Sequence, residues 1–278
     1  TEKIAAPSIV TSPPALHKLS SLSLGFTAHW CVGFGEDCII LADKDKKDRL
    51  VKVDVGHKLT VAWNKNLPPG VNYSSVNYVS GSSLLCQNDW GHPVVSLSVS
   101  DLTPQHTYPR LDDHRLRAAL PAGRILYARK VSDGNYRAEV YSLPEHQHIT
   151  TLAPPQHYTS AAISACCHPH SHWIAVVDRY SRCLDIYNAQ YQHQTPVQLA
   201  YIPWYANAVC AVDDYIVITD GNKLYVYSWG GEELLTQTCQ QLGVEGLILG
   251  VGRTADGRIV LATGPVYDVN TLHVYECK

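Results

Sequence analysis

One phrase recurs six times along this chain: a β-branched run, a polar turn, then a second run that alternates apolar with polar residues. The first runs are Ile39–Asp43, Leu84–Asn88, Ile125–Arg129, Ile174–Asp178, Ile216–Asp220 and Ile259–Thr263, and their starts lie 45, 41, 49, 42 and 43 residues apart. The second runs are Leu50–Val55, Val94–Val99, Ala138–Ser142, Leu184–Asn188, Leu224–Ser228 and Leu272–Glu276. Four of these carry VYS, IYN, VYS and VYE. A unit this short cannot bury its own apolar face, so it must stack on its neighbours. A period in the low forties built from strand pairs is the mark of β-propeller blades. That restricts where function can sit, because propellers bind on loops that recur once per blade or in the central channel.

Each repeat reads as four strands, a to d, from the centre outward. Strand a precedes each β-branched run, at His29–Gly33, Ser74–Val79, Arg115–Leu120, Ser160–Ala165, Asn207–Val212 and Leu247–Val251. Strand d follows the alternating run, for example at Lys58–Trp63, His148–Leu152, Gln198–Ile202 and Leu234–Thr238. Turn-forming Gly, Asp, Ser and Pro separate a from b. The last repeat stops at Lys278 without a strand d, and Ala15–Leu24 has no strand a before it. The economical solution pairs Ala15–Leu24 with Leu272–Cys277 and closes the ring, which removes two exposed sheet edges. The expected fold is therefore all-β: a six-bladed β-propeller over residues 15–278, closed by the N-terminal strand, with residues 1–14 as an extended lead-in. No stretch has a helical period, and Leu102–His114 reads as the longest irregular connection.

Composition narrows the class further. The net charge is −3 and the pI about 6.5, which argues against a dedicated duplex-DNA or acidic-membrane binder. No apolar run approaches the ~20 residues of a membrane span, and no signal peptide opens the chain. The chain begins at Thr1 and contains no Met, so it reads as an excised or processed domain whose flanking domains lie outside it. Nine cysteines, mostly inside expected strands and without disulfide-like spacing, favour free thiols and a cytoplasmic location. The sequon Asn72-Tyr73-Ser74 points the other way, to secretion.

The strand b–turn–strand c units Ile216–Tyr227 (IVITDGNKLYVY) and Ile174–Tyr187 (IAVVDRYSRCLDIY) resemble those of six-bladed NHL-type propellers, such as the C-terminal domains of TRIM-family ubiquitin ligases. The family's Asn-His-Arg turn before strand c is replaced here by DRYSRC, DGNK and KDKKDR. The resemblance implies a substrate-recognition module for a ligase whose catalytic portion is outside this chain. It also admits single-stranded RNA binding, which some NHL propellers perform. Trp-Asp repeat propellers are the other candidate fold, but the one near match, Asp89-Trp90, has the order reversed.

In an a–b–c–d blade the b–c turns and the d–a connections lie on one side of the disc. There the sequence gathers aromatics beside basic groups: His29, Trp30, Lys46, Arg49, Tyr73, Trp90, Arg115, Tyr136, Tyr158, Arg179, Tyr180, Trp204, Tyr205 and Tyr267. Aromatic planes offer stacking surfaces, and Arg or Lys beside them neutralises carboxylate or phosphate. The competing reading packs these aromatics between blades. Asp43, Asp178 and Asp220 recur at one blade position and read as turn caps that accept backbone N–H groups. Cys166-Cys167-His168-Pro169-His170-Ser171-His172 has the donor types of a zinc site. Adjacent strand residues face opposite ways, however, so Cys166 and Cys167 cannot share one ion without a bulge.

For catalysis, no G-x-S-x-G, Gly-rich phosphate loop or H-E-x-x-H occurs. Six-bladed lactonases hold calcium with several oxygen ligands in the channel, whereas the strands a here supply Asn77 and Asn207 and no carboxylate. The expectation is a monomeric, non-catalytic recognition domain without cofactor or membrane partner. It binds a protein or peptide through the b–c and d–a loops. Single-stranded RNA is the alternative ligand, with Lys44, Lys47, Arg129, Lys130 and Arg182 joining the basic set. A calcium-dependent hydrolase is the third reading.

Overall fold

The structure is a computed structural model that describes residues 5–35, 37–45, 49–56, 58–69, 76–88, 91–132, 134–154, 158–159, 162–194, 196–201, 208–266 and 268–278, with backbone alone for 29–32, 76–78 and 80. It is all-β. The first strands are β1 (Leu16–Phe34), β2 (Cys38–Asp43), β3 (Arg49–Val55) and β4 (Leu59–Asn66). β5 (Val76–Ser80), β6 (Ser83–Gln87), β7 (Val94–Ser98) and β8 (Pro104–Thr107) form one antiparallel sheet. The next two are β9 (His114–Leu120), β10 (Arg124–Ser132), β11 (Asn135–Ser142) and β12 (His148–Leu152), then β13 (Ile163–Cys167), β14 (Ile174–Asp178), β15 (Cys183–Tyr187) and β16 (Val197–Gln198). β17 (Val209–Val212), β18 (Tyr215–Thr219), β19 (Lys223–Ser228) and β20 (Glu233–Thr238) follow. After a helical turn, α1 (Cys239–Leu242), come β21 (Leu247–Arg253), β22 (Ile259–Gly264) and β23 (Asp268–Cys277). These last three share a seven-stranded sheet with the first four, in the order β21-β22-β23-β1-β2-β3-β4.

β1 is the hinge of that sheet. Its first half pairs with β23, from Leu16 opposite Cys277 to Ser23 opposite Thr271. Its second half pairs with β2, Val32 opposite Leu41 and Phe34 opposite Ile39. The pairing with β23 shifts register between Ser23 and Ala28, where Ala28 lies between Val269 of β23 and Asp43 of β2, and Gly25 sits in that break at φ +65. That left-handed conformation suits glycine and lets one strand leave one partner for another.

Period-two alternation explains the packing. In β14, Ile174 and Val176 enter the apolar cluster shared with β9–β12, while Ala175 and Val177 enter the one shared with β17–β19. In β2, Ile39 and Leu41 face the cluster with β21–β23, and Ile40 and Ala42 face β6 and β7. A strand buried on both faces reads as a continuous apolar run, which is why IILAD and IAVVD show no polar positions before their terminal Asp. Two further clusters join β6–β7 to β9–β11 and β17–β19 to β21–β23. Every consecutive pair of strand groups is thus packed, and the last group packs on the first.

Three expectations are corrected. Leu102–His114 is not wholly irregular: β8 pairs with β7 inside it. All four residues of β8 are exposed and Pro104 opens it, so it lacks an apolar pattern, as an edge strand can. The Gln198–Ile202 strand is reduced to Val197–Gln198, with Ile202 outside the described residues. Finally, Cys239–Leu242 is helical. Thr238 Oγ1 accepts from Gln241 N–H and the Gln241 side chain accepts from Thr238 N–H, a capping box, while Gly243 ends the turn at φ 63. Among the described residues, no helix is long and apolar enough to cross a membrane.

Candidate functional site

The innermost strands β1, β5, β9, β13, β17 and β21 bring their turn-side ends round one cavity of about 460 Å³. Phe34, Val79, Ala119, Cys166, Cys210 and Arg253 represent the six in its lining. The hairpin turns between each inner strand and the next therefore lie at this end. The turns between second and third strands lie at the other, one strand away, about 17–23 Å for five to seven residues. Those far turns and the connections into the inner strands form the face expected to bind.

On that face the aspartates behave as caps. Asp43 Oδ1 accepts Asp45 N–H at 3.0 Å, Asp178 Oδ1 accepts Tyr180 N–H at 3.0 Å, and Asp220 Oδ1 accepts the N–H groups of Asn222 and Lys223 at 2.9 Å. Asp178 Oδ2 also accepts from Thr159 N–H across the face. Lys44 joins Asp268 at 2.7 Å and so ties the β2–β3 turn to the start of β23.

The expected contact residues divide by environment. Arg49 pairs with Asp43 at 3.1 Å and braces the base of its hairpin. Arg115 is half-buried on β9 opposite Ala128. Tyr136 donates its backbone N–H to Tyr158 O at 2.8 Å and is partly packed against the cluster between the third and fourth strand groups. Tyr158 belongs to that core: it is 2% exposed, and its hydroxyl meets that of Tyr187 at 2.9 Å. Burial first, and then its neighbour Tyr187, push its phenol well above the ordinary range. This ring packs between strand groups, as the competing reading of the aromatics had it. Tyr180 is the opposite case, 65% exposed, with the Arg179 guanidinium 5.3 Å above its ring. His29 and Trp30 lie on β1 with only backbone described, as does Asn77 on β5; Lys46, Tyr73, Trp90, Trp204, Tyr205, Tyr267 and Asn207 lie outside the described residues.

Residues missed from sequence complete this surface. Val131, near the end of β10, and Val266, on the β22–β23 turn, are 47% and 57% exposed. Each is the aliphatic residue of a stretch otherwise rich in turn-forming and polar residues, KVSDG and GPVYD, and that was the available signal. Beside Val131, Arg129 is half-exposed and bonded at 3.2 Å to Glu139. Glu139 also meets His114 Nε2 at 2.9 Å and accepts from the Tyr141 hydroxyl at 3.3 Å. Burial would raise the Glu139 carboxyl, but the bonds from His114 and Arg129 outweigh it and hold the group at about 2.

The Cys-His segment has a structural explanation. Cys167 and Cys166 point into the clusters on opposite sides of β13. His168 is buried, and its Nδ1 accepts the N–H groups of His170 at 3.2 Å and Ser171 at 2.9 Å, capping the turn.

No family model and no curated protein matches the chain. Among solved structures it is similar to BamB from Moraxella catarrhalis, a β-propeller, with a TM-score of 0.50 and 11% identity over 94% of this chain and 98% of that one. At that identity the likeness shows the fold alone: the chain has a propeller architecture.

Proposed function

We propose that this chain is a six-bladed propeller, closed by β1, that serves as a non-catalytic recognition domain for a protein or peptide partner. The double pairing of β1 and the packing of the last strand group on the first support the ring. The observation that carries the function is the placement of Val131 at the end of β10 and of Tyr180 and Val266 on two turns, all exposed on one face, with Arg129, Lys130 and Arg179 next to them in sequence. Contiguous apolar surface rimmed by polar groups marks protein contact sites, and Tyr and Arg dominate the energetics of such surfaces. The cavity lining offers no carboxylate among the described residues, which weighs against a calcium-dependent hydrolase. With the NHL-type resemblance, the role we favour is substrate recognition for a ubiquitin ligase, by a monomer in the cytoplasm. The eight described cysteines are free, which supports a reducing compartment.

A photo-crosslinking residue at position 180 tests this, with one at position 149 on the outer strand β12 as control. The first should capture a protein and the second should not. Against the captured partner, Tyr180→Ala and Arg179→Ala should each weaken binding by about 1–3 kcal/mol. Capture from position 149 alone sinks the proposed face. Capture of single-stranded RNA, with affinity falling steeply as salt rises, replaces the protein reading with the RNA one.

A further inference from the structure

A second cavity, of about 590 Å³, is bordered by the connection into β21, the β22–β23 turn, β23 and the first half of β1. Its volume falls within the roughly 300–1,000 Å³ of small-ligand sites. Part of its wall is bare backbone. Gly246 stands at φ +83, and a Cβ there would collide with the carbonyl of Gly264, which also lines the space. That conformation and that close approach both demand glycine.

The side chains that border the cavity have bonding capacity left over. His273 is 5% exposed. Thr263 Oγ1 donates to Thr271 O at 3.4 Å and meets His273 Nε2 at 3.0 Å. With its proton so committed, the hydroxyl accepts from Nε2–H, and the bare lone pair of the ring falls on Nδ1. Nδ1 is buried without a hydrogen-bond partner. Burial, and then the Lys18 ammonium, lower the ring to about 4, so it stays a neutral acceptor at pH 7. Glu245 is exposed, and its carboxylate has no hydrogen bond or ion pair among the described residues. Lys18 donates to Gly243 O at 2.7 Å, a neutral acceptor, and its other N–H groups remain. Lys18 and Glu245 are thus the ionised groups of the described lining, one of each sign.

A lining with one charge of each sign favours neither a lone cation nor a lone anion. It favours a ligand that carries both, because each end then gains a charge-assisted hydrogen bond. An ammonium also brings spare N–H donors, and a buried acceptor such as His273 Nδ1 is costly to leave unpaired. We propose that this cavity binds a zwitterionic α-amino acid, with its ammonium held by Glu245 and His273 and its carboxylate by Lys18. The site adjoins Val266 through Pro265, but it does not rest on the protein-partner reading, and its test uses no partner.

The test is a calorimetric titration of the 278-residue chain at pH 7 with glycine, L-serine, L-glutamine and L-leucine. Each is compared with its N-acetyl derivative, which lacks the ammonium, and its amide, which lacks the carboxylate. At least one amino acid should bind about tenfold or more tightly than both of its derivatives, as expected for loss of a hydrogen bond to a charged group. Glu245→Gln should erase the preference over the N-acetyl derivative, and Lys18→Gln the preference over the amide. Lys65→Gln on the outer strand β4 should leave both intact. Lys18 and Glu245 are exposed, so their variants should melt as the wild type does. In the wild type, the bound amino acid should also shift the ¹⁵N resonance of His273 Nδ1. The proposal is overturned if the derivatives bind as well as their parents, or if the preferences survive Glu245→Gln and Lys18→Gln. It is equally overturned if the Nδ1 resonance stays in place while an amino acid binds, or if none of the four saturates the protein up to about 10 mM.

Discussion

Acidification from pH 7.5 to pH 5.0 should cost this domain stability through two buried histidines, one in the β11–β12 connection and one on β23. His146 is 9% exposed among Tyr108, Tyr127 and Tyr141, and its Nε2 meets the Tyr127 hydroxyl at 2.8 Å. His273 is 5% exposed on β23, with Nε2 3.0 Å from Thr263 Oγ1. Burial lowers both to about 4, helped by His114 and His106 for the first and Lys18 for the second. The unfolded chain binds these protons near the ordinary 6.5 and the native state does not, so stability is full above that value and falls as pH drops toward 4. Between pH 7.5 and 5.0 the linkage integral gives about 2 kcal/mol per histidine. Glu139, held at about 2, titrates below this window.

Urea unfolding at both pH values, for the wild type, His146→Asn, His273→Gln and the double variant, measures the effect. Asn suits position 146, where φ is 55. Each single variant should lessen the pH-dependent loss by about 2 kcal/mol and the double by about 4, since distant sites add. Other histidines contribute equally to all four proteins and cancel. A double variant with the wild-type pH dependence, or an imidazole NMR titration centred near 6.5 for either ring, would refute the reasoning.

Two further outcomes follow from the strand pairing and the thiols. Deleting residues 1–25 strips the partner from β23 and should lower the melting temperature and cause concentration-dependent aggregation; a monomeric truncation with unchanged melting refutes closure by β1. Denatured, unreduced protein should titrate all nine cysteines, while the folded protein should react slowly at Cys86, which burial raises to about 12; consistently oxidised pairs would overturn the reducing compartment.

Much of the architecture was legible because it is local. Strand pairs show as period-two runs, and the innermost, second and third strands of each unit fall within a few residues of their expected positions. Asp43, Asp178 and Asp220 cap turns because an Asx side chain reaches its own backbone two residues on. Cys166 and Cys167 separate into different cores because neighbouring strand residues must. β8 escaped notice for the converse reason: an exposed edge strand opened by proline carries no apolar alternation.

The sequence by itself determined where most strands lie, which Asp close the turns and that most thiols sit on strands, since each depends on residues close along the chain. It could not separate Tyr158 from Tyr180, two tyrosines in polar connections. Their fates, 2% and 65% exposed, depend on whether a neighbouring strand group supplies a partner such as Tyr187. Nor could it place Arg253 in a cavity with Cys167 and Cys210, residues far apart in the chain that share a wall because inner strands converge. The same holds for His146 and His273, whose low affinity for protons comes from burial by other elements. Burial and local field are sums over the neighbours that packing brings, and the tertiary structure alone fixes those neighbours.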